Sequence, residues 1–238
     1  MTKKTKIISG FLVLTILFLG SFLRIVGHNW DQGHHLHPDE RFLTMVGIKI
    51  QKPQNLAQYF NTQKSPLNPY NQGFGSFVYG TLPLFLIKKV ALTLNKDNYA
   101  HFNLAGRIVS AIFDIGTLVI IGFTVKKIFK KRKYWLWAMF LYAISTLPIQ
   151  LSHFFAVDIF LNFFLALSFL MMALFWKSKK RKTLLASLAG LSVGAALACK
   201  ITAVFFLPIA GLFFLTDWFK KKSFPQSFLN CLIFASTL

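Results

Sequence analysis

The residues best suited to chemistry lie in one polar stretch, residues 34–41, which reads HHLHPDER. Asp39 and Glu40 form an acidic pair there, and Glu40 is the only glutamate in the chain. A carboxylate that is held in place can accept the proton of an attacking hydroxyl, so the pair is a candidate general base. A purely structural role is also open, because Pro38 favours the first position of a helix and the helix dipole favours carboxylates in the first turn.

Long apolar segments must position these residues. The chain is 55% hydrophobic, and about 18 apolar residues are needed to cross roughly 30 Å of hydrocarbon as a helix. Ile7–Leu23 has no charge over 17 residues, and Tyr134–Trp176 contains only Asp158. Leu184–Phe219 divides near Lys200. These segments predict an all-α, polytopic transmembrane helical bundle.

The placement of the basic residues predicts the topology. The net charge is +20, and 17 of the 27 Lys and Arg residues lie in four short clusters at the ends of apolar segments. Such clusters are typical of cytoplasmic loops, so we expect a multi-pass cell-membrane protein with a cytoplasmic N-terminus. A nucleic-acid partner is not expected, because the basic residues do not gather on one face with stacking aromatics. The clusters are Lys3–Lys6, Lys126–Lys133, Lys177–Lys182 and Lys220–Lys222.

With these clusters inside, the chain predicts about six complete spans and the start of a seventh near Phe228. Because the seventh span stops at Leu238, we expect residues 1–238 to be the N-terminal part of a longer transmembrane domain. The six predicted spans are 7–26, 104–125, 134–151, 157–176, 184–199 and 203–219.

Residues 27–103 form the predicted first external loop. Within it, Phe77–Leu94 is apolar enough to be considered as a span, but Lys88 and Lys89 interrupt it. If this segment crossed the membrane, two of the basic clusters would fall on opposite sides. We therefore expect interfacial helices in the loop. Five of the seven acids are then external: Asp31, Asp39, Glu40, Asp97 and Asp158.

Four short motifs and their order resemble the GT-C superfamily of membrane glycosyltransferases. The likeness covers nearly the whole chain and is greatest for the family-39-like branch, which includes protein O-mannosyltransferases and aminoarabinose transferases. In that branch an external acidic pair supplies the catalytic carboxylate, and the donor is a sugar on a polyprenyl or dolichyl phosphate. The motifs are His37-Pro38-Asp39-Glu40, Asn68-Pro69 with Tyr79-Gly80-Thr81-Leu82-Pro83-Leu84, Ala105-Gly106-Arg107-Ile108-Val109-Ser110, and Gly190-Leu191 with Cys199-Lys200-Ile201-Thr202.

The resemblance implies roles for individual residues. Asp39 becomes the candidate base and Glu40 its neighbour or supporting partner. A lipid-linked donor phosphate needs cations at the outer surface, and Arg107 and Lys200 are predicted at the outer ends of their helices. Snorkelling from helix ends is the alternative for both. Arg41 could pair with the acids or with the donor, or form a surface salt bridge.

The predicted hairpin between the third and fourth spans adds two candidates. His153 could assist acid–base chemistry or bind the acceptor, or it could be an ordinary interfacial histidine. Asp158 could approach the site, or it could cap the fourth span. Asp114, seven residues after Arg107, is predicted to face the bundle and to pair with a residue on another helix.

His34, His35 and His37 beside Asp39 are plausible metal ligands. Three histidines within four residues of a loop do not form a tetrahedral template, so metal-independent transfer without a cofactor is expected.

The predicted function is transfer of a sugar, with inversion, from a polyprenyl-phosphate donor to an extracytoplasmic acceptor. That acceptor could be a protein, a glycolipid or a polysaccharide, and membrane lipids are the other expected partners. The alternative is a transporter or flippase of a lipid-linked or ionic substrate. Transporters place charges at the bilayer midplane and often contain repeated halves. Here the charges gather at one face and no repeat is visible.

Overall fold

The structure is a computed structural model that describes residues 3–129, 131–178, 180–221 and 224–237. Within these ranges the secondary structure is helical and contains no strand, which confirms the all-α fold class. Two 3-10 helices, Pro69–Gln72 and Ile201–Phe206, accompany the α-helices. Lys130, Lys179 and Lys222 of the basic clusters lie outside the described residues. The α-helices are α1 (Lys3–Ile25), α2 (Pro38–Lys49), α3 (Leu56–Phe60), α4 (Thr81–Thr93), α5 (Tyr99–Ile128), α6 (Arg132–Ala143), α7 (Thr146–Ser152), α8 (Val157–Lys177), α9 (Lys182–Leu197), α10 (Leu207–Lys221) and α11 (Phe224–Ser236).

Three of the described helices are long and apolar enough to span a membrane: residues 7–25 of α1, all of α5 and all of α8. The bent pair α6 and α7, which meet at 52°, would make a fourth span. The 16 residues of α9 reach only about 24 Å as a helix, less than the roughly 30 Å of hydrocarbon. The multi-pass helical architecture is therefore confirmed, whereas the count of six complete spans stays a prediction.

Helices α5 and α8 run parallel to each other. A Cβ added at Gly106 would collide with the ring of Phe155, and one added at Gly116 would collide with the ring of Phe163. Contacts that rise together in residue number define a parallel pair, and the two glycines allow the bulky rings to approach the α5 backbone. Two parallel helices need one return crossing between them, which α6 and α7 supply.

Because α5 and α8 are parallel, their charged residues lie in two groups, one at each end of the bundle. On α5, Arg107 and Lys126 are 19 residues apart, which is about 29 Å along the helix axis. On α8, Asp158 and Lys177 are separated by the same number of residues. We call the end that holds Arg107 and Asp158 the acidic end, after the carboxylates gathered there, and the end that holds Lys126 and Lys177 the basic end.

Helix α1 runs antiparallel to α5 and is held to it by a buried ion pair. Arg24 Nε donates to Asp114 Oδ2 at 2.5 Å, and both side chains are fully buried. The guanidinium also donates to the backbone carbonyls of Tyr142 and Ala143 on α6, and the Tyr142 hydroxyl donates to the other Asp114 oxygen. This arrangement confirms the prediction that Asp114 pairs with a residue on another helix, and it ties three helices together.

Residues 26–98 leave the bundle and return to it at the same end. Because α1 ends where the antiparallel α5 begins, the intervening segment makes no net crossing. The 13 residues of α4 reach only about 20 Å and pack on the start of α5 through Ile87, Ala91 and Phe102. Lys88, buried in this packing, is neutralised by both carboxylate oxygens of Asp97 at 2.8 Å. This geometry agrees with the prediction that the Phe77–Leu94 stretch does not span.

Three predicted helix limits are wrong. Helix α5 begins at Tyr99 rather than Leu104. The predicted third span, 134–151, breaks at Ile144–Ser145, because Pro148 has no N–H to donate to the Ile144 carbonyl. The predicted sixth span, 203–219, opens as the 3-10 helix Ile201–Phe206, and α10 follows with Pro208 at its second position.

Candidate functional site

Arg107 is fully buried at the acidic end of the bundle and holds two carboxylates. Nε and Nη2 donate to the two oxygens of Glu40, and Nη1 and Nη2 donate to the two oxygens of Asp31. The fifth N–H donates to the carbonyl of His28 at 2.9 Å, and the indole of Trp30 lies against the guanidinium. All five N–H groups of Arg107 are therefore used within the protein.

Glu40 points into the bundle, away from solvent. Its Oε1 accepts the backbone N–H of Phe155 at 2.8 Å in addition to the Arg107 bond. The helix α2 that carries it begins with Pro38 and is capped by His37, whose Nδ1 accepts the N–H of Glu40. Glu40 thus joins the start of α2 to α5 and to the connection before α8.

Asp31 is positioned by the turn that follows α1. Its carboxylate accepts the backbone N–H groups of Gly33 and Leu36 as well as the two Arg107 bonds. The turn requires left-handed backbone at Gln32 (φ 50) and Gly33 (φ 82). The hydrogen bonds from Arg107, against the opposing effect of burial, lower the pKa of Asp31 to about 2.

Asp39 does not share the buried contacts of Glu40 and is half-buried. The phenol of Tyr79, in the segment before α4, lies beside the Asp39 carboxylate. Burial, a hydrogen-bonding interaction with Asp39, and the charges of Asp39 and Asp158 raise the pKa of Tyr79 to about 12. Tyr79 is therefore neutral at physiological pH and keeps its proton. The two adjacent acids of α2 thus have different environments, one open and one closed.

Lys200 and Asp158 form an ion pair beside Tyr79. The Lys200 Nζ lies 2.8 Å from Asp158 Oδ1, and the two side chains are 32% and 35% exposed. Asp158 is in the first turn of α8, and Lys200 directly precedes the 3-10 helix Ile201–Phe206. Both groups remain accessible to a ligand, in contrast to Arg107.

A short backbone strap brings Tyr79 to Lys200. The N–H of Gly80 donates to the carbonyl of Cys199 at 2.8 Å, and that of Leu82 donates to the carbonyl of Ala198 at 3.1 Å. A Cβ at position 80 would overlap the Ala198 carbonyl, so the strap requires glycine. The strap fixes the loop that precedes α4 against the end of α9.

Two other predicted site residues, His153 and Arg41, form no bond with Asp39, Tyr79, Asp158 or Lys200. His153 has Nδ1 2.8 Å from the Ile149 carbonyl and Nε2 2.9 Å from the Val26 carbonyl, so it links α7 to the end of α1. Arg41 is exposed, and its side chain forms no hydrogen bond or ion pair within the described ranges.

The three histidines of residues 34–37 are used separately. His34 is exposed, His35 is buried against the ring of Tyr99 at 4.2 Å, and His37 stacks on Phe154. In the part of the chain that the structure describes, no group of three His, Cys, Asp or Glu is placed to hold a metal ion. Transfer without a metal stays a prediction.

The arrangement combines a half-exposed carboxylate with an accessible cation. Asp39, Tyr79, Asp158 and Lys200 come from four separate segments and form one half-exposed cluster, which we call the opening. A carboxylate there can accept a proton, and the ammonium of Lys200 can meet an anion. Of these four residues, the sequence predicted Asp39, Asp158 and Lys200 as candidates, and Tyr79 appeared only as part of a motif. The sequence offered no reason to single out Arg24, and it assigned no partner to Asp31.

Comparison with known proteins identifies a family for the chain. The family model described as dolichyl-phosphate-mannose-protein mannosyltransferase matches residues 60–235, which is more than half of the chain. No curated protein and no solved structure matches the chain.

Proposed function

The chain belongs to the dolichyl-phosphate-mannose-protein mannosyltransferase family, a group of GT-C membrane glycosyltransferases, and from this premise we propose its reaction. It transfers a sugar from a polyprenyl-phosphate donor to an extracytoplasmic acceptor, with inversion at the anomeric carbon. The observation that carries the proposal is the half-buried Asp39, which shares one opening with Tyr79, Asp158 and Lys200.

Asp39 acts as the general base. Its carboxylate takes the proton of the acceptor hydroxyl, whose oxygen forms the new bond to the anomeric carbon. The bond between that carbon and the donor phosphate breaks, and the lipid phosphate leaves with the electron pair. Attack opposite the leaving group inverts the configuration. Tyr79 supports this role because its neutral hydroxyl lies beside the carboxylate and can orient it by donating a hydrogen bond.

Lys200 meets the leaving phosphate. Its ammonium is partly exposed and is held by Asp158, so it can exchange part of this pairing for a phosphate oxygen. Arg41, exposed on the next part of α2, is a second cation within reach of an incoming anion. His153 positions the hairpin through its two carbonyl contacts.

Arg107 and Glu40 position the site and do not touch the substrate. Both are fully buried, and Arg107 donates every N–H to the protein. Their bonds hold α2 against α5 and the start of α8, which sets the direction in which Asp39 points. The sequence expectation that Arg107 binds the donor phosphate is replaced here by this positioning role.

The proposed partners follow from the family and the charge distribution. The donor is a lipid-linked sugar, and the family description favours a protein acceptor. The basic end of the bundle lies at the cytoplasmic surface, with the N-terminus, and the acidic end lies outside. The donor can then present its phosphate to the opening from the outer leaflet.

The test uses Asp39→Asn in the full chain with a radiolabelled polyprenyl-phosphate sugar. We expect transfer to fall by about 10²–10⁴-fold, the usual contribution of a general base. The control is the unfolding transition of Asp39→Asn itself, which should match that of wild type because Asp39 is half-buried and forms no ion pair within the described residues. Full transfer by Asp39→Asn would overturn the base assignment. Movement of the donor across proteoliposomes without transfer would instead favour a transporter.

A further inference from the structure

A groove lies at the basic end of the bundle, between α1, α5 and α6. It encloses about 790 Å³ and is lined by twelve residues, of which Lys126 and Arg132 are charged and Ser9 is polar. The other nine are apolar or glycine. The groove is remote from the opening at Asp39, because Lys126 and Arg107 lie about 29 Å apart along α5.

The floor of the groove has the length and character of a binding site for an apolar chain. On α1 it runs from Ser9 to Leu17, about 12 Å along the helix. Leu14 on α1 and Phe123 on α5 are exposed there, and Gly10 leaves open space where a side chain would stand. An apolar chain laid along this floor would bury surface that the described residues leave uncovered.

The two cations, Lys126 and Arg132, line the groove beside this apolar surface. The Lys126 ammonium lies 5.4 Å from the Trp135 ring centroid, and no carboxylate within the described residues pairs with it. Arg132 Nη1 donates to the Ser9 hydroxyl, which draws the guanidinium to the groove. Two positive charges above an apolar floor are complementary to an anionic headgroup above an apolar tail.

We propose that this groove binds one anionic phospholipid of the surrounding membrane. Its phosphate contacts Lys126 and Arg132, and one acyl chain lies along α1 between α5 and α6. Under the topology proposed above, this is a lipid of the cytoplasmic leaflet, which is separate from the lipid-linked donor at the opposite face. A zwitterionic lipid fits less well, because its own cation would meet these charges.

The test measures lipid binding to the full chain in detergent by native mass spectrometry, with phosphatidylglycerol and phosphatidylcholine as probes. We expect wild type to bind one phosphatidylglycerol, about fivefold or more in preference to phosphatidylcholine, and the preference to weaken with salt. Equal binding of the two lipids, or no bound lipid, would overturn the proposal.

Two matched pairs of variants locate the site. Gly10→Leu fills the groove, whereas Gly211→Leu places the same side chain in open space on α10, and neither meets an atom within 4 Å at Cβ. Lys126→Gln removes a charge from the groove, whereas Lys127→Gln removes its exposed neighbour. We expect the amount of bound phosphatidylglycerol to fall only in Gly10→Leu and Lys126→Gln. Equal loss within either pair would show that the groove is not the site. If Gly10→Leu does not fold, the lysine pair decides the question.

Discussion

Arg107 and Glu40 form a two-bonded ion pair inside the protein, in which Nε and Nη2 of the arginine each donate to one carboxylate oxygen. Both side chains are fully buried, so neither charge can turn to water if the other is removed. Their bonds connect α2 to α5, and the adjacent Asp39 is left facing the opening. In the acidic pair, Glu40 therefore has a structural role, and Asp39 is the residue available for catalysis.

This division predicts different results for two matched variants. Glu40→Gln leaves Arg107 paired with Asp31 alone and puts an amide NH2 where a carboxylate oxygen accepted a hydrogen bond. It should lower the free energy of unfolding by about 3 kcal/mol, because a buried hydrogen bond between charged groups is lost. Asp39→Asn should change it by less than about 0.5 kcal/mol. Chemical unfolding in detergent measures both. Equal stability of the two variants would contradict the structural role of Glu40.

Lys200→Gln should lower kcat/KM for the lipid-linked donor by about 10–100-fold. The variant loses a hydrogen bond between a charged donor and a phosphate, which contributes about 1.5–3 kcal/mol. Initial rates at varied donor concentration measure this effect. Lys89→Gln is the control, because Lys89 is an exposed lysine of α4 outside the opening. A comparable loss in both variants would point to general charge attraction.

Tyr79→Phe removes the hydroxyl that lies beside Asp39. The carboxylate then loses a group that can orient it, so kcat should fall by about fivefold, with little change in KM for the donor. Because the pKa of Tyr79 is raised to about 12, the pH profile of wild-type kcat/KM should show no alkaline limb from this group below about pH 11. Tyr70→Phe, at an exposed position, should leave kcat unchanged.

Asp31 predicts an acid-dependent loss of stability. Its pKa falls from 3.8 to about 2 on folding, so its stabilising effect is complete above about pH 4 and is lost as the pH falls towards 2. The shift corresponds to about 2 kcal/mol. Thermal unfolding of wild type and Asp31→Asn between pH 7 and pH 2 measures this difference. A gap between the two proteins that does not narrow below pH 4 would contradict the assignment.

The course of the chain could be predicted because charge placement is a local signal. Basic residues flank apolar segments in the sequence itself, so the parallel directions of α5 and α8 follow from counting the segments between Lys126 and Lys177. The position of the break in the third span, at Ile144, could not be predicted, since a proline within an apolar run can either bend a membrane helix or be accommodated in it. Helix ends depend on which carbonyls find donors in the fold.

The site could be predicted only as a set of residues. Neighbouring residues on a helix point about 100° apart, so the sequence could not show which of Asp39 and Glu40 turns inward. That direction depends on the Phe155 N–H, 115 residues away from Glu40. Arg107 and Lys200 looked alike as cations at helix ends, and only the packing of α2 distinguishes the buried one from the accessible one.

The Arg24–Asp114 pair has a consequence for the biogenesis of the protein. A carboxylate near the middle of an apolar helix costs about 2.5–3.5 kcal/mol to insert into a membrane alone. Helix α1 precedes α5 in the chain and carries the compensating cation near its end, where a long side chain can reach the interface. The partner of Asp114 is therefore synthesised before Asp114 itself. Pairing with Arg24 then offsets part of the cost of placing this carboxylate in the membrane.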